Sequence, residues 1–187
     1  SDAAAALVGA NRLNGNLLSL EELIFMAAQV GSDVPFFLYQ SPARCQGRGE
    51  KVTPVSSPQP LPVVLVKPTA GLSTPSVFGR VAEFGFEDRQ SIDDMLQVFT
   101  SGDLSGVGRA LHNRLLEPAL AVLPELQGVV HLLQDFDVAG FQMTGSGSTF
   151  FMICRHANQA KNLAARLRQM KLGAVIDTYT IGQPFGC

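Results

Sequence analysis

Asp33 and a glycine–serine loop far downstream are the residues of this chain best suited to chemistry. Gly31-Ser32-Asp33-Val34-Pro35-Phe36-Phe37 sets one carboxylate between a helix end and a proline-led apolar run. Met143-Thr144-Gly145-Ser146-Gly147-Ser148-Thr149-Phe150-Phe151 sets a side-chain-poor loop between two apolar strands. A fixed carboxylate can orient or deprotonate an attacking hydroxyl. A loop of bare backbone N–H groups can cradle a phosphate. Together they suggest phosphoryl transfer to an alcohol, a reaction whose loose transition state asks the acid mainly to align the nucleophile.

Each segment also has a plain structural reading. Asp33 stands where a helix N-cap would stand, just ahead of Pro35. Gly145-Ser146-Gly147-Ser148 would serve as a tight turn between strands. The loop is not a Walker loop, because no Gly-Lys-Ser/Thr follows, nor a dinucleotide fingerprint, because Phe150 stands where the third glycine would be. Arg44, Arg48, Glu50 and Lys51 around Gly47 read as a solvated charged hairpin. Phe78 reads more readily as core than as a platform for a stacked base.

The elements that must position these residues follow from periodicity and capping. Residues 1–14 are Ala-rich and helical, and Gly15-Asn16 ends them. Ser19-Leu20-Glu21-Glu22 is a capping box. It opens a helix with Leu20, Leu23, Ile24, Ala27 and Ala28 on one face, which Gly31 stops. Residues 43–55, with Gly47-Arg48-Gly49 inside, read as a hairpin or irregular strand pair, and the Pro/Ser-rich stretch 54–62 is the best linker candidate. Residues 61–67 are a buried strand and 73–84 a helix with Pro75 in its first turn. Ser91 and Asp103 open further helices, and the helical pattern runs on to Phe136 with breaks near Pro118 and Pro124. Strands at 138–143 and 149–154 flank the loop. Residues 156–171 are an amphipathic helix with Ala160, Leu163, Ala164, Leu167 and Met170 in register, Gly173 ends it, and 174–181 are the last strand. From the linker on, this is the split βαβ order of a ferredoxin-like α+β layer, with helices on one face of an antiparallel sheet.

The composition fits one domain, or one plus part of another, in 187 residues, of which 46% are hydrophobic and 16% charged, with a net charge of −2. No basic stripe supports nucleic-acid binding. Apolar runs such as 61–66 fall far short of the roughly 20 residues that span a bilayer. Cys45, Cys154 and Cys187 form neither a disulfide framework nor a zinc motif, so a reducing, cytoplasmic setting is expected. His112, His131 and His156 have no metal-ligand spacing, and no metal site is assigned. The chain opens inside helical text with neither Met nor leader, and reads as the back part of a longer protein.

Taken in order, several of these segments resemble the GHMP small-molecule kinases. The likeness is carried by Gly31-Ser32-Asp33-Val34-Pro35-Phe36-Phe37 and Gly47-Arg48-Gly49-Glu50-Lys51-Val52-Thr53-Pro54. It continues through Lys67-Pro68 with Leu72-Ser73-Thr74-Pro75, Asn113-Arg114-Leu115-Leu116-Glu117-Pro118 and Thr144-Gly145-Ser146-Gly147-Ser148-Thr149. The resemblance implies a GHMP kinase fold, with residues 59–187 as its ferredoxin-like C-terminal domain and 1–58 as the remainder of a truncated N-terminal, nucleotide-binding domain. It makes Asp33 the catalytic carboxylate and Gly145, Ser146, Gly147 and Ser148 the third family motif, near phosphates and substrate. Ser1 and Asp2 become the tail of a nucleotide loop, and Thr74 and Phe78 line the substrate pocket, Phe78 facing a cytosine ring.

The reaction so implied moves the γ-phosphate of ATP, with Mg²⁺, to the 2-hydroxyl of a cytidine diphosphate-linked methylerythritol on the way to isoprenoid precursors. The family's opening strand, with its catalytic Lys and its aromatic and His contacts to cytidine, is absent from this sequence, as is most of the ATP loop. The isolated chain is therefore expected to be inactive, its natural partner being the N-terminal segment of the same protein. The alternatives are a GHMP kinase acting on another alcohol and a non-catalytic small-molecule-binding remnant. The Gly47 hairpin and the Asn113 segment favour the first reading.

Overall fold

The computed structural model describes residues 2–56, 59–85 and 91–181. They form two compact units, one from the residues before Gln59 and one from Gln59–Thr180.

The first unit holds helices α1 (Asp2–Leu13), α2 (Leu20–Val30) and α3 (Val34–Tyr39) and strands β1 (Ala43–Gln46) and β2 (Lys51–Pro54). The Ser19 hydroxyl accepts the Glu22 N–H at 3.3 Å, and the Glu22 carboxylate accepts the Ser19 N–H at 2.8 Å, so the expected capping box opens α2. Asn11 closes the α1–α2 turn as a substitute peptide, donating to Leu18 O at 3.0 Å and accepting Leu18 N–H at 2.9 Å. The buried face of α2 is narrower than its sequence pattern: Leu23 and Ala27 are buried, while Leu20 and Ala28 are exposed. Gly31 ends α2 with extended backbone, φ 178°, rather than in the left-handed conformation common after helices. β1 and β2 pair antiparallel from Ala43↔Pro54 to Gln46↔Lys51. The Glu50 carboxylate folds over the turn between them and accepts the Arg48 N–H at 2.7 Å.

The second unit begins with β3 (Pro62–Pro68) and α4 (Thr74–Gly79), then a 3-10 turn at Val81–Glu83. Helices α5 (Ile92–Ser101), α6 (Leu104–Ala110), α7 (Leu116–Val122) and α8 (Leu126–Gln134) follow. Strands β4 (Gly140–Met143) and β5 (Phe150–Ile153), helix α9 (Ala157–Gln169) and strand β6 (Gly173–Tyr179) complete it. The sheet order is β4-β5-β3-β6 with every neighbouring pair antiparallel, which is the expected split βαβ arrangement. Ser91 and Asp103 cap α5 and α6 as expected, accepting the N–H of Asp93 at 3.1 Å and of Gly106 at 2.9 Å.

Some boundaries differ from the sequence reading. The expected helix over 73–84 is one and a half turns of α4 and a separate 3-10 turn. The break expected near Pro118 falls over residues 111–115, and Pro118 itself does not interrupt a helix. It sits in the first turn of α7, where the missing N–H would have had no partner. After α9, Lys171 takes the positive φ of 55°, while Gly173 already pairs with Pro68 in β6. Met170 is 41% exposed rather than part of the buried stripe of α9.

The sheet is covered on both faces, not one. Val64, Val66, Phe150 and Met152 face Leu126 and Leu133 of α8 and Leu163, Ala164 and Leu167 of α9. The alternate residues Val63, Leu65, Phe151 and Ile153 pack with Met95, Val98 and Phe99 of α5 and Leu104 and Val107 of α6. A glycine pair permits the second layer. A methyl on Gly108 of α6 would overlap the Ala139 carbonyl, and one on Gly140 would lie 2.5 Å from Gly108 Cα.

Gly108→Ala is accordingly expected to destabilise the second unit. Helix propensity favours alanine by about 1 kcal/mol, but backbone overlap has no flexible side chain to relieve it and overpacking costs about 1–3 kcal/mol. A thermal unfolding midpoint equal to or above wild type would contradict the contact. Native-state hydrogen exchange should also divide the chain. Among the described residues the first unit has a small core of Ala4, Leu23, Ala27, Pro35 and Leu38, while Leu13 and Phe25 are 90% and 70% exposed. Fast exchange is expected in α1 and α2 and slow exchange in β3, β5 and α9. Equal protection in a proven monomer would refute the difference.

Candidate functional site

The loop of Gly145, Ser146, Gly147 and Ser148 joins β4 to β5 between two buried core residues, Met143 and Phe150. Thr144 N–H donates to Thr149 O at 2.8 Å and Gly147 N–H to Thr144 O at 3.0 Å, which closes the turn. Gly145 and Gly147 have φ of 56° and 85°, with Ser146 between them outside that region. Alternation of this kind curls successive N–H groups towards one concave side. Among the described residues no protein acceptor takes the N–H of Gly145, Ser146 or Ser148.

The side chains around this turn are committed to holding it. Ser148 is buried, and its hydroxyl donates to Ala70 O at 2.6 Å. The hydroxyls of Thr74 and Ser146 lie 2.8 Å apart. The Asn113 amide donates to Met143 O at 2.7 Å and Gly145 O at 2.9 Å. Asn113 stands within a segment quoted for the resemblance, but nothing in its local sequence singled it out as a site residue. Its partners lie some thirty residues downstream.

Thr74 and Ser146, both predicted site residues, are thus brought together. Phe78 lies one helical turn beyond Thr74 on the same side of α4. Contrary to its reading as core, Phe78 is 58% exposed, and its neighbour Val77 is the buried residue. An open cleft of about 760 Å³ runs beside the loop, lined among others by Met95, Leu111, His112, Gln142 and Gly145.

Asp33 belongs to the first unit. It occupies the N-cap position of α3, yet with φ −88° and ψ −11° its carboxylate makes no capping bond. The hairpin turn approaches closely: a Cβ on Gly49 would lie 3.0 Å from Asp33 Oδ1. The Cys45 thiol on β1 is pushed up by burial first and by the nearby Asp33 charge second. Asp2 opens α1, and Ser1 lies outside the described residues. Cys45 and Cys154 are free thiols, while Cys187 lies outside the described residues. Among the described residues no group of three His, Cys, Asp or Glu side chains could hold a metal ion, and no helix is long and apolar enough to cross a membrane.

The GHMP kinases C terminal family model matches residues 95–171, from α5 to the end of α9. That stretch is similar to the C-terminal part of the GHMP kinases. Among curated relatives, the 4-diphosphocytidyl-2-C-methyl-D-erythritol kinase of Exiguobacterium sibiricum is 37% identical over 168 residues, covering 90% of this chain and 58% of the relative. The protein of that name from Brevibacillus brevis is 33% identical over 181 residues, covering 97% and 61%. A crystal structure of 4-(cytidine 5'-diphospho)-2C-methyl-D-erythritol kinase superposes with a TM-score of 0.77 at 29% identity, covering 95% of this chain and 63% of that one. The chain therefore spans about three fifths of the length of these proteins.

The loop geometry leads to a specific expectation for Gly147→Val. A Cβ there would meet Met143 Sδ at 2.6 Å and Leu72 Cδ1 at 2.9 Å, and the φ of 85° strains a β-branched residue. The cost is about 1–3 kcal/mol of backbone strain, felt first as a displaced loop. Inorganic pyrophosphate titrated into the chain should then bind more weakly than to wild type. Equal affinity would make the loop a turn and nothing more.

Proposed function

We propose that this chain acts in ATP-dependent phosphorylation of the 2-hydroxyl of 4-diphosphocytidyl-2-C-methyl-D-erythritol, a step towards isoprenoid precursors in the cytoplasm. The carrying observation is the 33–37% identity to relatives of that name over at least 90% of this chain. It is supported by a loop whose unclaimed N–H groups suit a phosphate. In this reading residues 1–58 are part of a nucleotide-binding domain and 59–187 the C-terminal domain of the kinase.

The roles follow from the chemistry of each group. Asp33, with no capping bond to give up, aligns the substrate hydroxyl and receives its proton. Gly145, Ser146 and Ser148 offer backbone N–H groups to phosphate oxygens, stabilising charge without side-chain reorganisation. Thr74 offers a hydroxyl and Phe78 an exposed ring on which a cytosine can stack. Ser1 and Asp2 contribute to nucleotide binding. ATP supplies the phosphoryl group. Mg²⁺ suits this chain as an ion carried largely by phosphates and water rather than by a protein cage.

The test joins this chain to the part of the Exiguobacterium sibiricum relative that lies outside their match. Transfer from ATP to the cytidine diphosphate-linked alcohol, followed by ³¹P NMR, is expected. Asp33→Asn should lower turnover by about 10²–10⁴-fold, the usual contribution of a positioned acid or base, with the melting temperature little changed. Near-normal turnover would remove Asp33 from the mechanism. No transfer by the unsubstituted hybrid, or transfer only to a different alcohol, would overturn the substrate assignment.

A further inference from the structure

We propose that Asn113 is the positioning residue of the Gly145–Ser148 loop, aiming its N–H groups at the anion without touching the ligand. The proposal rests on the phosphate-loop reading given above.

The geometry of the peptide group carries the inference. In a trans peptide the C=O of one residue and the N–H of the next lie in one plane and point opposite ways. Asn113 Nδ2 holds the Met143 carbonyl at 2.7 Å, which directs the Thr144 N–H away into its 2.8 Å bond with Thr149 O. The same nitrogen holds the Gly145 carbonyl at 2.9 Å, which directs the Ser146 N–H away from Asn113. That N–H has no acceptor among the described residues. One side chain therefore orients two peptide planes: one closes the hairpin and the other presents a donor.

Asn113 is itself fixed. Its Oδ1 accepts the Leu115 N–H at 2.9 Å, at the entry to α7. The reverse amide orientation would set an oxygen against two carbonyls and an NH₂ against an N–H, so only one orientation is satisfied. Both donor hydrogens are then spent within the protein, which is why the residue positions the loop and is not a ligand contact.

Asn113→Asp separates the two functions. The aspartate has the same shape and still accepts the Leu115 N–H, but turns an acceptor towards the two carbonyls. On the purified chain, the Thr144 and Ser146 amide resonances are expected to move while that of Leu115 stays. Inorganic pyrophosphate should bind about tenfold more weakly or worse, the equivalent of one charge-assisted hydrogen bond. Pyrophosphate affinity within about twofold of wild type, well short of one hydrogen bond, would overturn the proposal.

Should Asn113→Asp fail to fold, the wild-type chain decides. Anion binding at Ser146 N–H polarises the shared peptide and strengthens the bond its carbonyl accepts. The through-hydrogen-bond coupling from Asn113 Nδ2 to the Gly145 carbonyl carbon should therefore rise on saturation with pyrophosphate, while that to Met143 stays. A purely structural tether would leave both unchanged, and that result would overturn the proposal. Failure of the wild-type chain to bind pyrophosphate at all would defeat the phosphate-loop reading itself and this inference with it, an outcome distinct from a variant that binds normally.

Discussion

A loop built of glycine and serine cannot hold its own shape. Gly145 and Gly147 carry no side chains to pack, and glycine loses more conformational freedom on ordering than any other residue. The constraint has to come from outside, and here it comes from three directions. Ala70 receives the Ser148 hydroxyl, Thr74 meets the Ser146 hydroxyl, and Asn113 holds the carbonyls of Met143 and Gly145. Met143 and Phe150 seal the two ends of the loop into the core.

The topology explains why those partners are available. β3 and β4 both run antiparallel to β5, so they share a direction and end at the same edge of the sheet. Val66, Phe150 and Met143 stand in one row across it. The chain leaving β3 must then pass the β4–β5 turn, bringing Ala70, Leu72 and Thr74 alongside. Asn113 arrives by another route. It follows α6, whose place on the second face of the sheet depends on the Gly108–Gly140 approach. Two glycines that touch nothing chemical thus help determine where the amide that shapes the loop can sit.

Much of this was legible in the sequence because it is local. The capping box at Ser19, the caps at Ser91 and Asp103, the buried strand β3 and the stripe of α9 each follow from neighbours a few residues apart. The β-strand order was legible too, since split βαβ connections leave few ways to pair. What was not legible depends on distant contacts. Phe78 and Val77 are both apolar, and only the tertiary arrangement decides that Val77 is buried and Phe78 exposed. Pro118 looks like an interruption until the chain before it is seen to be non-helical. The pattern of residues 92–110 did not reveal which face of the sheet it would cover, because either face offers apolar side chains. Asn113 carries no local mark, its bonds being made across thirty residues.

Asp33 illustrates a different limit. Its type and place matched two roles, a structural cap and a chemical acid, and these exclude one another while the carboxylate is bonded to the helix. The αR backbone at Asp33 turns the side chain away from the first N–H groups of α3, and no cap bond forms. The carboxylate is left exposed beside the hairpin turn, near enough to Gly49 that a side chain there would crowd it and near enough to Cys45 to disfavour a thiolate. An acid that makes no capping bond keeps those lone pairs open to a ligand. The same logic applies to the loop, where bonds made by side chains and carbonyls help to hold the backbone and the N–H groups of Gly145, Ser146 and Ser148 are spared. In both segments the groups proposed for chemistry are ones the fold leaves unspent.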